Sequence, residues 1–584
     1  MRILSSAILD ERLLRRKVNM IMNIVQSNKL FIHHELLRVR VERRIVNLPL
    51  ILTMAILNAL VPKGTMLLYG GHGGGKTTLA KILGRMMTGT PLKKIERSIL
   101  RAHPHLTEEK AIARFDVARL MSGEEVVQWS EFVKTFWKII DEVNRLSPHM
   151  QDVLFSLLAE GIVKYGSEVY EVRDYVLYAT LNPKDVGTFP MGAPFMDRFS
   201  IAIQVTMPKA PHLFDILGRR DEKLYGFDED TQVPAIMTEE EIINIWHIID
   251  DTITVPEESM FFITYLIGSF RACIKTNKEN AEFLNVDSGL CDNCHFNTRE
   301  SVCNKIKTPP SVRAAKDLER YSKALAWLLG YDKVLPNFIV AAAPFVLWHR
   351  LDYPENILRE KPYYGNKILL TKDLVQRIFN RYTRRGRRIL EIIDKGWALK
   401  LTKSDLDELN QEAKADVFVA SDVQPIIKSI SEDSRYATYY KQVEKILNMI
   451  KVGRFDEKTI ISKIDDLLSK IESDVTVTGK HKLVRELYNA IFSLTKRTIK
   501  MRLGEWREIQ IDLIKQIPLK SLKRFFKDII GGPLYRKFYG MPEIEIRVTI
   551  PSDDDNAMMT MDIAGGKLAI KVFETIERLR RNIR

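Results

Sequence analysis

Gly70, Gly71, His72, Gly73, Gly74, Gly75, Lys76 and Thr77, followed by Thr78, spell G-x-x-x-x-G-K-[ST] between an apolar run and a helical one. The chemistry that these types support at this spacing is phosphate binding. Glycines let successive backbone N–H groups turn inward around an anion, Lys76 brings a point charge to β- and γ-oxygens, and Thr77 offers a hydroxyl to Mg²⁺. About 65 residues on, the stretch 135–142 (TFWKIIDE) ends an apolar run in two acids. Such a pair can hold Mg²⁺ through Asp141 and polarise an attacking water through Glu142. A glycine-rich turn that binds nothing and an acidic strand end in a solvated loop are the plain alternatives. The two motifs in this order within an α/β pattern weigh against both.

These residues need particular elements to position them. Residues 64–69 read as a short buried strand and residues 79–87 carry helical periodicity, so the loop between them faces a helix N-terminus. Residues 48–61 read as a core helix leading into that strand; the run falls short of the roughly 20 apolar residues that a membrane span needs. Alternation around Gly166 in residues 157–172 predicts a β-hairpin, and residues 175–180 predict another buried strand ending at Leu181-Asn182-Pro183. A polar side chain at such a tip can hold the lytic water or the γ-phosphate, which makes Asn182 a candidate.

A chain of 584 residues exceeds what one core supports, so two to four domains are expected. The 45% hydrophobic and 28% charged content is that of a globular protein, and the N-terminus lacks the apolar stretch of a cleavable signal. The net charge of +14 permits acidic partners, but it is spread over the whole chain. Only four cysteines argue for a cytoplasmic protein without a disulfide framework.

Five short motifs in order resemble the MoxR family of AAA+ ATPases: DEVNR at 141–145, ATLNP at 179–183, FMDRF at 195–199, SVRA at 311–314 and PFVLWHR at 344–350. The resemblance covers residues 45–355. It implies an α/β P-loop AAA+ core with a helical lid, ATP as the nucleotide, and Mg²⁺. It further implies that Asn182 is sensor 1, that Arg198 is an arginine finger reaching a neighbouring subunit's γ-phosphate, and that Arg313 is sensor 2 at the nucleotide. A homo-oligomer follows, expected as a hexameric ring, acting in a chaperone-like way on a protein client. In the family that client is often a von Willebrand factor A domain protein. Residues 98–128 would hold the element that this branch inserts after its second helix. The bland reading of Arg198 is an ion pair with Asp197 or Asp185. Three features depart from the family pattern: His72 in the loop, cysteines in the lid, and a long C-terminal region.

All four cysteines fall at Cys273, Cys291, Cys294 and Cys303, with His295 beside them. The C-x-x-C spacing closes a chelate turn, and a third thiolate with Cys273 or His295 would complete a tetrahedral Cys₄ or Cys₃His zinc site. An iron–sulfur cluster is the less favoured occupant, and a buried thiol at Cys273 or a redox pair are the metal-free readings.

The expected domains are a helical N-terminal extension (1–44), the nucleotide-binding domain (45–215), the lid (216–358) with its cysteine-rich insertion (273–303), and a mainly helical C-terminal region (359–584) ending in a small α+β unit. In the extension, Leu13, Leu14, Val18, Ile21, Met22 and Val25 line one face of a helix. Arg377, Arg381, Arg384, Arg385, Arg387 and Arg388 form a basic run with Phe379 and Tyr382 interleaved, which could grip phosphates and stack on bases, though a solvated helix face is the favoured reading. Residues 440–450, 460–471 and 483–499 read as amphipathic helices, and residues 543–550 as a strand followed by a second alternating segment and a closing helix. A nucleic-acid-dependent motor or restriction-type NTPase is the alternative function; it would need cations on the hairpin, where Lys164 stands alone. An NTP-binding scaffold without turnover is a second alternative, against which an intact Glu142 argues.

Overall fold

The computed structural model describes residues 2–583 except 72, 122, 184–186, 218–232, 273–293, 295, 297–300, 454–455, 518, 528, 530–533, 542–543 and 551–553. The chain divides into two compact units, residues 1–387 and 388–584.

Unit one opens with the helix Arg2–Ser27, whose Leu14, Val18, Ile21, Met22 and Val25 are buried. Leu13 points outward instead, 52% exposed, one position off the apolar stripe. The helical extension expected to residue 44 ends early, because β1 (Leu36–Val41) and β2 (Arg44–Pro49) pair as an antiparallel hairpin. Leu37, Val39 and Val41 are buried while Leu36, Arg38 and Arg40 face out, a period of two in a segment too short and too basic to stand out in the sequence. Helix Leu50–Ala59 follows with every residue buried, as a run apolar but for Thr53 and Asn58 demands.

Next come β3 (Thr65–Tyr69), the helix Lys76–Thr88, and the two-residue β4 (Leu100–Arg101). An excursion then pairs β5 (Ala113–Phe115) with β6 (Val127–Trp129) around the helix Val117–Met121. β7 (Trp137–Asp141), the helix Pro148–Glu160, the hairpin β8 (Ile162–Tyr165) and β9 (Glu168–Glu171), then β10 (Val176–Leu181) and β11 (Ile201–Gln204) complete the core. Five of these strands form one parallel sheet in the order β11-β3-β10-β7-β4. Strands buried on both faces read as continuous apolar runs, which is why β3, β7 and β10 are legible without alternation. The lid is helical, with Glu239–Thr252, Glu257–Ser269, Val312–Leu328 and Pro336–Leu347.

Unit two starts inside the long helix Lys367–Trp397. Helices Ser434–Val452, Glu457–Ser473 and Lys480–Thr495 share a core of Tyr436, Val443, Ile464, Ile471, Leu483 and Leu487. The helix expected to run to residue 499 stops at Thr495. From there β12 (Arg497–Arg502) alternates Ile499 and Met501 inward with Thr498, Lys500 and Arg502 outward. With β13 (Leu534–Met541), β14 (Ile544–Ile550) and β15 (Met558–Gly565) it makes an antiparallel sheet in the order β12-β15-β14-β13, packed on the helices Leu503–Gln516 and Lys567–Ile583 around Trp506, Val548, Met561 and Ile576.

Candidate active site

The phosphate loop emerges from β3, and its geometry needs glycine. Gly73 and Gly75 lie at φ of 76° and 71°, and a Cβ on Gly70 would sit 2.2 Å from the Val205 carbonyl oxygen. His72 lies outside the described residues. Gly75 is the N-cap of helix Lys76–Thr88 and gives it no side-chain cap, so the first amides of the helix point into the loop without a protein acceptor on that residue. Lys76 folds back on the loop, its Nζ donating to the carbonyl oxygens of Gly70 (2.8 Å) and Gly71 (2.6 Å). Burial lowers its pKa, while Asp141 and Glu142 act in the opposite sense.

Parallel pairing of β10 with β7, Ala179 opposite Ile140, brings the acidic strand tip beside the polar one. Thr77 Oγ1 donates to Asp141 Oδ1 at 2.8 Å. A hydroxyl and a carboxylate converging in this way are hard oxygen donors of the kind Mg²⁺ takes, so the site fits that ion. Glu142 follows at φ 57°, a left-handed conformation uncommon for a side chain of its type, and its carboxylate pairs with Arg145 at 2.8 Å. Asn182, 4% exposed, stands at the end of β10.

Two residues that sequence reasoning quoted without assigning a role join these parts. Thr180 Oγ1 donates to Asp141 Oδ1 (2.6 Å) and accepts from the Glu142 N–H (2.8 Å), bridging both acids. Asn144, itself buried, donates from Nδ2 to the Asn182 carbonyl (2.8 Å) and accepts the Asn182 N–H at Oδ1 (3.5 Å). Their signal was their place inside the DEVNR and ATLNP strings; the strand pairing that gives them meaning is not local.

Arg198 and Arg313 lie elsewhere. Thr65, at the opening residue of β3, donates to the Arg198 carbonyl at 2.8 Å, whereas the phosphate loop leaves the closing end of the same strand. At about 3.3 Å per residue the strand itself separates the two ends by roughly 13 Å. Arg198 and Arg313 share a cleft of about 390 Å³ with Lys63, Lys316, Arg320 and Asp197. The Arg198 guanidinium lies 4.1 Å over the Phe155 ring, and burial, then the charge of Arg313, lower its pKa. The expected alternative pairing with Asp197 is taken by others: that carboxylate accepts from Ser311 Oγ (2.7 Å) and meets Arg313 (3.1 Å) and Arg350 (3.2 Å). Asp185 lies outside the described residues. Arg313, expected as sensor 2, is therefore brought together with Arg198 and not with Lys76.

The insert and the hairpin pack on each other through ring pairs, Phe115 with Tyr165 and Trp129 with Tyr170, both at 5.2 Å between centroids. Gly166, at φ 57°, sits under Phe115, whose ring comes within 2.8 Å of where a Cβ would stand. Helix Val117–Met121 buries no side chain. Asp116 holds it by accepting from the N–H groups of Ala118 and Arg119 at 3.1 and 3.3 Å, leaving Val117, Leu120 and Met121 exposed.

In the basic run, Tyr382 is buried against Phe261, Phe262 and Tyr265 and donates to the Glu258 carbonyl; Phe379 packs on Phe262. These aromatics anchor their helix on the lid, and Tyr382 is buried by it. Cys273, Cys291 and His295 lie outside the described residues. Cys303 is buried at the head of a short turn, Cys303–Lys305, and Cys294 is half-buried.

A family model described as AAA domain (dynein-related subfamily) matches residues 65–199, and one described as AAA lid domain matches residues 298–362. Protein MoxR of Methylorubrum extorquens is 23% identical over 328 residues, 55% of this chain and 86% of that protein. Protein MoxR of Paracoccus denitrificans is 24% identical over 299 residues, 50% of this chain and 80% of that one. Chaperone MoxR1 of Mycobacterium tuberculosis is 23% identical over 326 residues, 55% and 77% of the respective chains.

Proposed function

Because this chain is a AAA+ ATPase of the MoxR family, hydrolysing ATP on a P-loop core, we propose that it assembles as a homo-oligomeric ring, expected to be hexameric, and couples hydrolysis to remodelling a protein partner. The observation that carries this reading is the separation of the two half-sites. Lys76, Thr77, Asp141, Glu142 and Asn182 gather at one end of the parallel sheet, and Arg198 and Arg313 at the other. A single copy then brings neither of these two arginines to its own nucleotide, and a neighbour supplies both.

In this mechanism Lys76 exchanges the loop carbonyls for phosphate oxygens as ATP enters. Thr77 and Asp141 would hold Mg²⁺, which when bound would supply positive charge against the charge of the phosphates. Glu142 draws the proton from the attacking water and Asn182 orients that water. Arg198 and Arg313 from the neighbour stabilise charge on the transferring phosphoryl group.

A protein client is favoured over nucleic acid by the insert, whose tip presents Val117, Leu120 and Met121 between Asp116, Glu124 and Glu125, and by the burial of Tyr382 in the basic run. A protein with a von Willebrand factor A domain is the client class expected from the family resemblance. Cys291, Cys294 and Cys303 with Cys273 or His295 would hold a structural zinc ion, measurable as one zinc per chain by elemental analysis. The cytoplasm is the proposed compartment; among the described residues no helix is long and apolar enough to cross a membrane.

The deciding experiment is ATPase activity across protein concentrations, with Arg198→Ala alongside and with or without single- or double-stranded DNA. Turnover per subunit should rise with concentration, fall on the order of 10³-fold in the variant, and ignore DNA. Concentration-independent turnover that survives Arg198→Ala would overturn the shared site, and strong stimulation by DNA would overturn the protein client. Lys76→Ala should abolish nucleotide binding, whereas Glu142→Gln should bind ATP without turning it over.

A further inference from the structure

The backbone that carries Arg198 is held at three consecutive carbonyls. The Asp197 oxygen accepts from Arg350 (3.2 Å), the Arg198 oxygen from Thr65 (2.8 Å), and the Phe199 oxygen from both Arg350 (3.0 Å) and His349 (2.8 Å). Arg350 lies just past the lid helix Pro336–Leu347, and its side chain is 2% exposed. The same guanidinium meets Asp317 of helix Val312–Leu328 at 2.6 Å and Asp197 at 3.2 Å. Asp197 in turn takes Ser311 and Arg313, from the start of that helix. One buried planar cation thus fixes the turn bearing Arg198 and, through two carboxylates, the helix bearing Arg313.

We propose that Arg350 is a positioning residue that sets Arg198 and Arg313 as one rigid pair aimed at a neighbour's γ-phosphate, so that the lid and the arginine finger act as a single body. The inference rests on the proposed sharing of the active site between subunits. Its chemistry is the guanidinium fork. Arg350 reaches carbonyls 197 and 199, Asp197 and Asp317 together, and a lysine would keep the charge but lose the geometry. Among the described residues Arg350 touches neither the phosphate loop nor Asp141, so its loss should leave nucleotide affinity alone and remove the help given to the next subunit.

The test is complementation in mixed oligomers of the full chain. Arg350→Lys alone should lose about tenfold or more in turnover while its affinity for a fluorescent ATP analogue stays within about twofold of wild type. Mixed in equal parts with Glu142→Gln, which is inactive but keeps both arginines, it should regain roughly a quarter of wild-type turnover, the share of interfaces that random mixing makes competent. A chain damaged only in its fold would not be rescued. Arg198→Ala mixed with Glu142→Gln is the reference pair. Rescue of that pair without rescue of Arg350→Lys overturns the positioning role and spares the shared site; rescue of neither overturns both. Should Arg350→Lys fail to fold, Ser311→Ala removes one bond from Asp197 and should show a smaller, equally rescuable loss. Unimpaired turnover in either Arg350→Lys or Ser311→Ala also overturns the proposal.

Discussion

At the scale of single residues, the candidate site is tied together by two polar neighbours, Thr180 on the acids Asp141 and Glu142 and Asn144 on Asn182. Asn144 holds both backbone groups of Asn182, so Asn144→Ala leaves a buried carbonyl and N–H without these partners. The expected outcome is a fall in kcat of about 10- to 100-fold with ATP affinity little changed. Single-turnover kinetics beside equilibrium nucleotide binding would check it. His349 gives a pH signature of a different kind. Burial, then the charge of Arg350, push its pKa down to about 3, although its backbone bonds act the other way. The unfolded chain therefore takes up a proton between pH 6.5 and 3 that the folded chain refuses. Stability contributed by neutral His349 is complete above pH 6.5 and is lost as pH falls toward 3, by up to ~1.4 kcal/mol per pH unit. Denaturant titrations at pH 7 and pH 5 should show this slope, and His349→Gln should flatten it.

At the scale of elements, the seam between helix Lys76–Thr88 and β7 depends on a residue with no side chain. Trp137 Nε1 donates to the Ala80 carbonyl at 2.9 Å, and a Cβ on Gly84 would stand 2.8 Å from that same nitrogen. Gly84→Ala should cost about 1–3 kcal/mol by overpacking, read as a lower melting temperature, with the phosphate loop displaced by the shift of its helix. The elements themselves were legible to different degrees. Strands β3, β7 and β10 (TMLLY, WKIID and VLYATL) are mostly apolar runs without alternation, which burial on both faces explains, and the glycine loop announces itself. β1 and β12 were not read, because short strands with arginine or lysine on most outward positions look like solvated helix until their partners are known. The place of Arg313 beside Arg198 is not legible locally: it follows from Asp197 and Arg350, which lie 116 and 37 residues away by the numbering, and such separation leaves no local pattern.

At the scale of the whole molecule, the nucleotide site lies entirely within residues 1–387, while residues 388–584 carry their own cores around Ile464 and Trp506. A ligand that binds one unit stabilises that unit by mass action, about 2.7 kcal/mol at a hundredfold excess over Kd. Calorimetry of the full chain with a non-hydrolysable ATP analogue and Mg²⁺ should therefore raise the transition that belongs to residues 1–387. Lys76→Ala should abolish that shift and leave the remaining heat absorption where it was. The sequence made the ATPase unit readable because its chemistry is carried by fixed strings. In the second unit, apolar periodicity revealed helices and one strand but carries no reactive constellation to interpret.

Glu142 holds its place in a left-handed backbone conformation that glycine or asparagine would adopt with less strain. Position 142 therefore sets two selections against each other. A population of variants screened only for expression and solubility should drift toward glycine there, and one screened for turnover should hold glutamate. The frequency of glycine at this single site would then record which of the two pressures a lineage of such chains has been living under.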